Sequence, residues 1–184
     1  VRGGGHSFII KMMKLDKKLK LKIQKMVELD MKMRKRADQG KAFDFSVDKK
    51  NTKELKAIIQ KYGWPTIDLV GKKASWGAWL LAQHADHDKK FQKKCLKLIE
   101  SVWKKNKASV SRANIAFLKD RILVSQKKKQ LFGTQFYINK KGEMTPRPIH
   151  NLKTLDKRRK EFGLTPFKDY LDAAKRYKPK RVKG

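Results

Sequence analysis

Forty-nine Lys and Arg stand against seventeen Asp and Glu in 184 residues, a formal net charge of +32. Like charges at close quarters repel, so a compact body this positive is destabilised by its own field unless something anionic neutralises it. The chain is therefore expected to work against a polyanion: nucleic acid, an anionic membrane face or an acidic protein. Thirty-nine of the basic residues are Lys and ten are Arg. Lysine is a hydrated point charge, whereas arginine makes the planar fork that reads base edges. A lysine-led surface favours neutralisation of a phosphate backbone without regard to sequence. The plain alternative is a solubilising surface with no partner, but small domains ordinarily carry a net charge of only about 2–8.

A core is still available, because 39% of the residues are apolar, including four Trp, nine Phe and four Tyr. The length fits one domain with tails. Cys95 is the single cysteine, which excludes an internal disulfide framework and a cysteine-based zinc site, so nothing demands an oxidising compartment. On an apolar helical stripe it reads as a small core residue rather than a nucleophile. No apolar run approaches the roughly 20 residues that span a bilayer. The expected fold is mainly α (α+β): a helical domain of about six helices over residues 10–174, with one small β-hairpin near residues 130–147. Residues 1–9, beginning at Val1 rather than Met, are expected to be a flexible or processed end, and 175–184 a basic tail.

At about 100° per residue, Met12, Leu15, Leu19, Ile23, Met26 and Val27 share one stripe of a helix expected from Ile10 to Arg36. Asp30 falls within that stripe. An acid on a buried face needs a partner, and Arg34, one turn on, is placed to be it, as a structural ion pair or as part of a site. A loop holding Gly40 is expected from Asp38 to Asp48. Asn51 and Glu54 have capping-box spacing for a second helix carrying Leu55, Ile58 and Ile59, stopped by Gly63-Trp64-Pro65. A third is expected to start near Ser75, after a loop with Gly71. It turns Trp76, Trp79 and Leu80 inward, and Gln83 and His84 continue that face. Asp86 or Asp88 starts a fourth, on which Phe91, Cys95, Leu98 and Val102 step by four, three and four. A fifth, from Ser109 to Val124, aligns Val110, Asn114, Phe117 and Arg121. From Gln130 to Ile138 the pattern becomes an aromatic-rich strand, partnered by Glu143–Arg147 across a turn at Asn139–Gly142. Leu155 to Phe162, closed by Gly163, reads as a short helix. Thr165-Pro166 opens the last, which carries Phe167, Tyr170, Leu171 and Ala174.

Four polar groups lie on faces that should otherwise be apolar: Asp30 with Arg34; Gln83 and His84 with His87; Asn114 with Asp120 and Arg121; and Gln130 and Gln135 around Gly133-Thr134. Side chains that must be hydrogen-bonded when buried do not accumulate in a core for packing alone, so a pocket lined by them is expected. In it His84 or His87 would be a general base oriented by Asp30. Arg121 or Arg34 would hold an anion, and the Gly133-Thr134 backbone would offer N–H donors. The plain reading of His84 is a hydrogen-bonded interior histidine. No metal site and no cofactor is expected, because His84 and Asp86 point apart on a helix and no third ligand is evident.

In its order of motifs the chain resembles the bacterial and viral proteins of "domain of unknown function 6624". The matching stretches are Met26…Asp30…Arg34, Asn51-Thr52…Leu55…Ile58-Ile59…Gly63-Trp64-Pro65-Thr66, and Val70-Gly71. They continue with Ala78-Trp79…Gln83-His84-Ala85-Asp86…Asp88…Phe91-Gln92, Asn114…Ala116-Phe117-Leu118…Asp120-Arg121 and Gln130-Leu131-Phe132-Gly133-Thr134-Gln135-Phe136, then Pro148-Ile149 and Leu155-Asp156…Arg158-Arg159…Gly163-Leu164. The resemblance covers about residues 20 to 172 and implies a shared fold, with no established activity to carry over. Phe132 departs from the family's usual Tyr, and the lysine excess falls between the motif positions.

The functional expectation is a nucleic-acid-associated structural or assembly protein, a component of a large particle such as a virion interior or a ribonucleoprotein. Its phosphate contacts are expected from Lys127, Lys128 and Lys129 and from the tail residues Lys175, Arg176, Lys178, Lys180 and Arg181. It is placed inside cells or particles, beside nucleic acid and neighbouring proteins. The alternative is an enzyme, a hydrolase or transferase on a nucleotide or nucleic-acid substrate, with its pocket around His84. Peripheral lipid binding is weaker, since the basic first helix commits its apolar stripe to the core.

Overall fold

The computed structural model describes residues 15–176; the expected N-terminal segment and the tail positions Lys178, Lys180 and Arg181 lie outside them. In chain order come α1 (Lys17–Asp38), α2 (Phe45–Tyr62), α3 (Ile67–Gln83), α4 (Lys89–Lys105) and α5 (Arg112–Ser125). Then follow strands β1 (Phe136–Ile138) and β2 (Met144–Pro146), and the short helices α6 (Leu155–Glu161) and α7 (Phe167–Arg176). The protein is mainly α with one small hairpin. No described helix is long and apolar enough to cross a membrane.

Helix α3 is the centre. Eight of its last ten residues are buried small or apolar side chains or glycine, broken by Trp76 and Gln83, and α1, α2, α4 and α5 all pack on it. Gly77 sets the distance to α1: a Cβ there would lie 2.8 Å from Val27 Cγ2 and 3.3 Å from Ile23 Cγ2. The long basic helices are amphipathic around this hub. On α1 the buried stripe is Leu19, Ile23, Met26, Asp30 and Met33, with lysines on the remaining faces. Cys95 is fully enclosed on α4, and burial pushes its thiol up to about 12, as befits a core residue.

Local chemistry places the boundaries, and several differ from expectation. The first helix begins only at Lys17, because Asp16 caps it by accepting the Leu19 N–H at 2.8 Å; Leu15 precedes the cap and is exposed. Helix α2 starts six residues before Asn51. Asp44 is the cap, accepting from Ser46 N at 2.9 Å, so Asn51 is interior, reaching the Met26 carbonyl from a buried face. Helix α3 is capped by Thr66, not Ser75, and kinks at Gly71 (φ 79°). Trp76, expected to turn inward with Trp79 and Leu80, is 43% exposed instead. Asp88 caps α4, as one of the two expected alternatives.

The segment from Gln130 to Gln135 is a coiled loop rather than the first part of a strand; only Gln130 makes an isolated parallel bridge, to Ile149. The reason is Asp120. Its carboxylate, 0% exposed on α5, accepts the backbone N–H groups of Leu131 at 2.7 Å, Phe132 at 3.0 Å and Thr134 at 3.1 Å, and the Thr134 hydroxyl at 3.1 Å. Gathering successive N–H groups around one anion is incompatible with an extended ladder. The hairpin proper pairs Phe136 with Pro146, Tyr137 with Thr145 and Ile138 with Met144.

Gly133 is the tightest point of that loop. Its φ is +67°, and a Cβ would sit 2.7 Å from Phe167 Cε2 on α7. Gly133→Ala is expected to lower unfolding free energy by about 2–4 kcal/mol, from left-handed strain and overpacking together. Urea titration checks it; a loss under about 0.5 kcal/mol would show that the loop is free to move away from α7.

Candidate functional site

Two charged clusters flank the turn that joins α3 to α4. In the first, Asp30 is fully buried on α1, and His84, the C-cap of α3, brings Nδ1 to 2.9 and 3.0 Å from its two oxygens. Arg34 lies over the same carboxylate, Nε at 3.2 Å and Nη2 at 3.3 Å, and reaches Asp48 of α2 with Nη2 at 2.8 Å. Its guanidinium stands 5.2 Å from the Phe43 ring centroid. Arg34 Nε is also 3.0 Å from His84 Nδ1. One nitrogen cannot both donate to Asp30 and accept from Arg34. We assign the proton to His84 Nδ1, because Asp30 then accepts from both neighbours and each donor keeps a partner. The lone pair is left on Nε2, which has no protein partner among the described residues and is not an enclosed atom.

The electrostatics follow the geometry. Burial pushes the Asp30 carboxyl up, but the hydrogen bonds of His84 and Arg34 and the charge of the Arg34 guanidinium hold it below the ordinary range. Asp48 goes the other way: burial raises it more than Arg34 lowers it, with the nearby Asp30 charge adding to the rise.

The second cluster is built on Asp86. Arg121 of α5 clamps it with Nε at 2.9 Å from Oδ1 and Nη2 on Oδ2, and Lys89 approaches Oδ1 at 3.2 Å. Gln92, fully buried, donates its amide to Asp86 Oδ1 at 3.1 Å and to the Gln83 carbonyl at 3.0 Å, stitching the end of α3 to α4. Arg121 Nη1 extends toward Gln135 Oε1 at 3.5 Å.

Of the residues expected to share one pocket, Asp30, Arg34 and His84 meet directly, and Asp48 joins them. Arg121 meets Gln135 and Asp86 instead. Gln83 is buried with its Oε1 unpaired, while His87 is exposed and bonds to none of the others among the described residues. Asn114 contributes its carbonyl, accepting from Trp79 Nε1 at 2.8 Å. Asp120, Gln130 and Thr134 are structural: Gln130 spends both ends of its amide on the backbone of Gln135 and Arg147. Two expectations are corrected. Arg34 and Arg121 are each engaged by carboxylates and are not free anion holders, and the Thr134 N–H is committed to Asp120 rather than offered to a ligand.

Asp48, Gln92 and Arg159 are not among the residues expected at a site, although Gln92 and Arg159 stand in the family-like stretches. Asp48 keeps helical spacing with Asn51, Thr52 and Leu55 once α2 is known to begin at Phe45. Arg159 is 1% exposed, donating to the carbonyls of Thr165 at 2.7 Å and of Phe132, with its guanidinium 4.9 Å from the Tyr170 ring. No local pattern marks it. A groove of about 580 Å³ between the hairpin and α7, lined by Glu143, Met144, Pro146, Leu171 and Lys175 among others, holds none of these polar groups. The buried and paired charged groups lie at the α3–α4 turn, not there.

A family model described as a family of unknown function, DUF6624, matches residues 20–182. No curated protein and no solved structure matches the chain.

Burial pushes the Asp86 carboxyl up, but Arg121, Lys89 and Gln92 together bring it down to about 2 from 3.8. A depressed folded value stabilises above the unfolded one and is lost as pH falls through it. Because the Asp86 side chain is 48% exposed, screening limits the effect to about 1 kcal/mol. The stability gap between the wild type and Asp86→Asn is expected to be constant above about pH 5 and to close between pH 3.8 and about 2. Denaturation at a series of pH values reads it; a gap unchanged at pH 2 would mean that the Arg121 pair contributes nothing.

Proposed function

The chain belongs to the family of unknown function DUF6624, and from that footing we propose that it is a structural or assembly protein associated with nucleic acid, working inside a large particle such as a virion or a ribonucleoprotein. One observation carries the reading. Among the described residues only seven Lys and Arg side chains lie within ion-pair distance of a carboxylate: Lys22, Arg34, Lys56, Lys89, Lys119, Arg121 and Lys168. The acids that lie deepest, Asp30, Asp48 and Asp120, are spent inside the fold. The other lysines of α1, α2, α4 and the α5–β1 loop have no carboxylate within ion-pair distance among the described residues, and a phosphate backbone would relieve their repulsion.

Binding to duplex DNA or RNA is expected to weaken steeply with salt, with a log–log slope near −0.9 for each phosphate neutralised on B-DNA. With about six contacts, affinity falls about 10³-fold between roughly 50 and 200 mM salt. Fluorescence anisotropy measures the slope, and a flat one would end this reading.

A second reading is supported by a different observation: the Asp30–His84 dyad, with Nε2 unpartnered and open, is the arrangement of an oriented general base. In that reading the protein is a hydrolase or transferase on a nucleotide or nucleic-acid substrate. His84→Ala would then abolish turnover on a nucleotide and RNA panel while leaving salt-sensitive affinity unchanged. Absence of turnover by the wild type on the whole panel would leave His84 as an interior ion-pair residue.

A further inference from the structure

From the groove between the end of α5 and the outgoing arm of the hairpin we infer a binding site for single-stranded nucleic acid, resting on the nucleic-acid reading above. The groove encloses about 390 Å³ and is lined by Val124, Lys127, Lys128, Lys129, Arg147 and Pro148. None of its four cationic side chains lies within ion-pair distance of a carboxylate among the described residues, and all four are exposed.

The banks are built, not incidental. Helix α5 ends in a Schellman turn: Lys128 N–H reaches the Leu123 carbonyl at 3.0 Å and Lys127 N–H the Val124 carbonyl at 3.0 Å. That turn puts Lys127 in the left-handed region, φ 60°, a position that glycine fills without strain and a lysine does not. Strain of this kind persists where surrounding structure enforces it, here the closing turn of α5. The opposite bank is locked to the first by Gln130, fully buried. Its N–H donates to the Pro148 carbonyl at 2.9 Å, and its side-chain amide to the Arg147 carbonyl at 2.8 Å. Three consecutive lysines and one arginine thus line the groove together with Val124 and Pro148.

One further feature separates a single strand from a duplex. The Arg147 guanidinium lies 4.7 Å from the centroid of the Tyr137 ring on β1, and Tyr137 is 38% exposed. A tyrosine face stiffened by an arginine beside a lysine rail is what an unpaired base stacks on while its phosphates follow the rail. In a duplex the base faces are already stacked and unavailable to Tyr137.

Anisotropy with a labelled oligonucleotide of about ten nucleotides, single-stranded and as its duplex, tests the site. The combined variant Lys127→Gln, Lys128→Gln, Lys129→Gln is compared with a charge-matched one on α4, Lys90→Gln, Lys93→Gln, Lys97→Gln, both checked for an unchanged melting midpoint. The groove variant is expected to lose about tenfold more affinity for the single strand than the α4 variant, and to flatten the salt slope by about 2, at 0.7 per phosphate. Tyr137→Ala, which leaves the charge untouched, is expected to cost the single strand fivefold or more and the duplex nothing. If the wild type binds neither form, the nucleic-acid reading itself fails. If it binds but the two lysine variants weaken it equally, or Tyr137→Ala changes nothing, the groove assignment is overturned while that reading stands.

Discussion

The Asp120 carboxylate, sealed against α5, holds three backbone N–H groups and one hydroxyl of the Leu131–Thr134 segment, and the C-terminal third of the molecule is arranged around that contact. A buried anion unmatched by a cation is costly, but one met by several donors is stable and stiff. With the loop coiled around Asp120, the carbonyls of Leu131 and Phe132 turn toward α6, where Arg158 Nε takes the first at 2.8 Å and Arg159 the second. Arg159 in turn lies against the faces of Phe167 and Tyr170, which ties α7 to the same loop. Gln130 then anchors the far side of the hairpin. One acid on a helix thereby fixes two short helices and a two-stranded sheet that are too small to be stable alone.

The same economy of acids governs the rest. Helices α1, α2 and α4 are basic enough to repel one another, and what brings them together is the apolar surface of α3. Where acids do enter, they bridge elements: Asp30 links α1 to the end of α3, Asp48 brings α2 to Arg34, and Asp86 joins the α3–α4 turn to α5. Asp30 grips His84 at the end of α3 and Arg121 grips Asp86 just beyond it, so the α3–α4 turn is held from two sides. Rigidity there keeps Nδ1 of His84 fixed on Asp30. Most outer lysines have no acid within ion-pair distance among the described residues, because 49 basic residues outnumber 17 acids and three of those acids are buried.

Much of this was legible before folding. The stripe Leu19–Ile23–Met26 with Asp30 and Arg34 in register required a buried pair, and the pair is present. A cap at Asp86 or Asp88, of which the structure uses Asp88, and Gly163 as a helix end followed from residue chemistry at single positions. Misjudged boundaries share one cause: two groups competed for the same role. Asn51 with Glu54 satisfied the capping-box spacing, but Asp44 offered a cap earlier and the longer helix buried more surface. Trp76 belongs to the apolar pattern of α3, yet it lies at the edge of the buried face that Trp79 and Leu80 occupy and is left partly exposed. The run from Gln130 to Ile138 had the composition of a strand, and its first half was taken from the sheet by an acid ten residues upstream, at Asp120.

Sequence alone determined that this would be a lysine-covered, mainly helical body with one hairpin and a few acids in its interior. Charge count, apolar period and caps are properties of single residues and near neighbours. Which acid meets which base was decided by the tertiary structure. His84 and Asp30 are 54 positions apart, and Arg121 and Asp86 are 35 apart; such pairs exist only once α3 has collected the other helices around it. The groove at Lys127–Lys129 illustrates both halves. Its lysines were visible as a run, but their partner in the groove, Arg147, arrives through a hydrogen bond from Gln130 that no spacing rule contains.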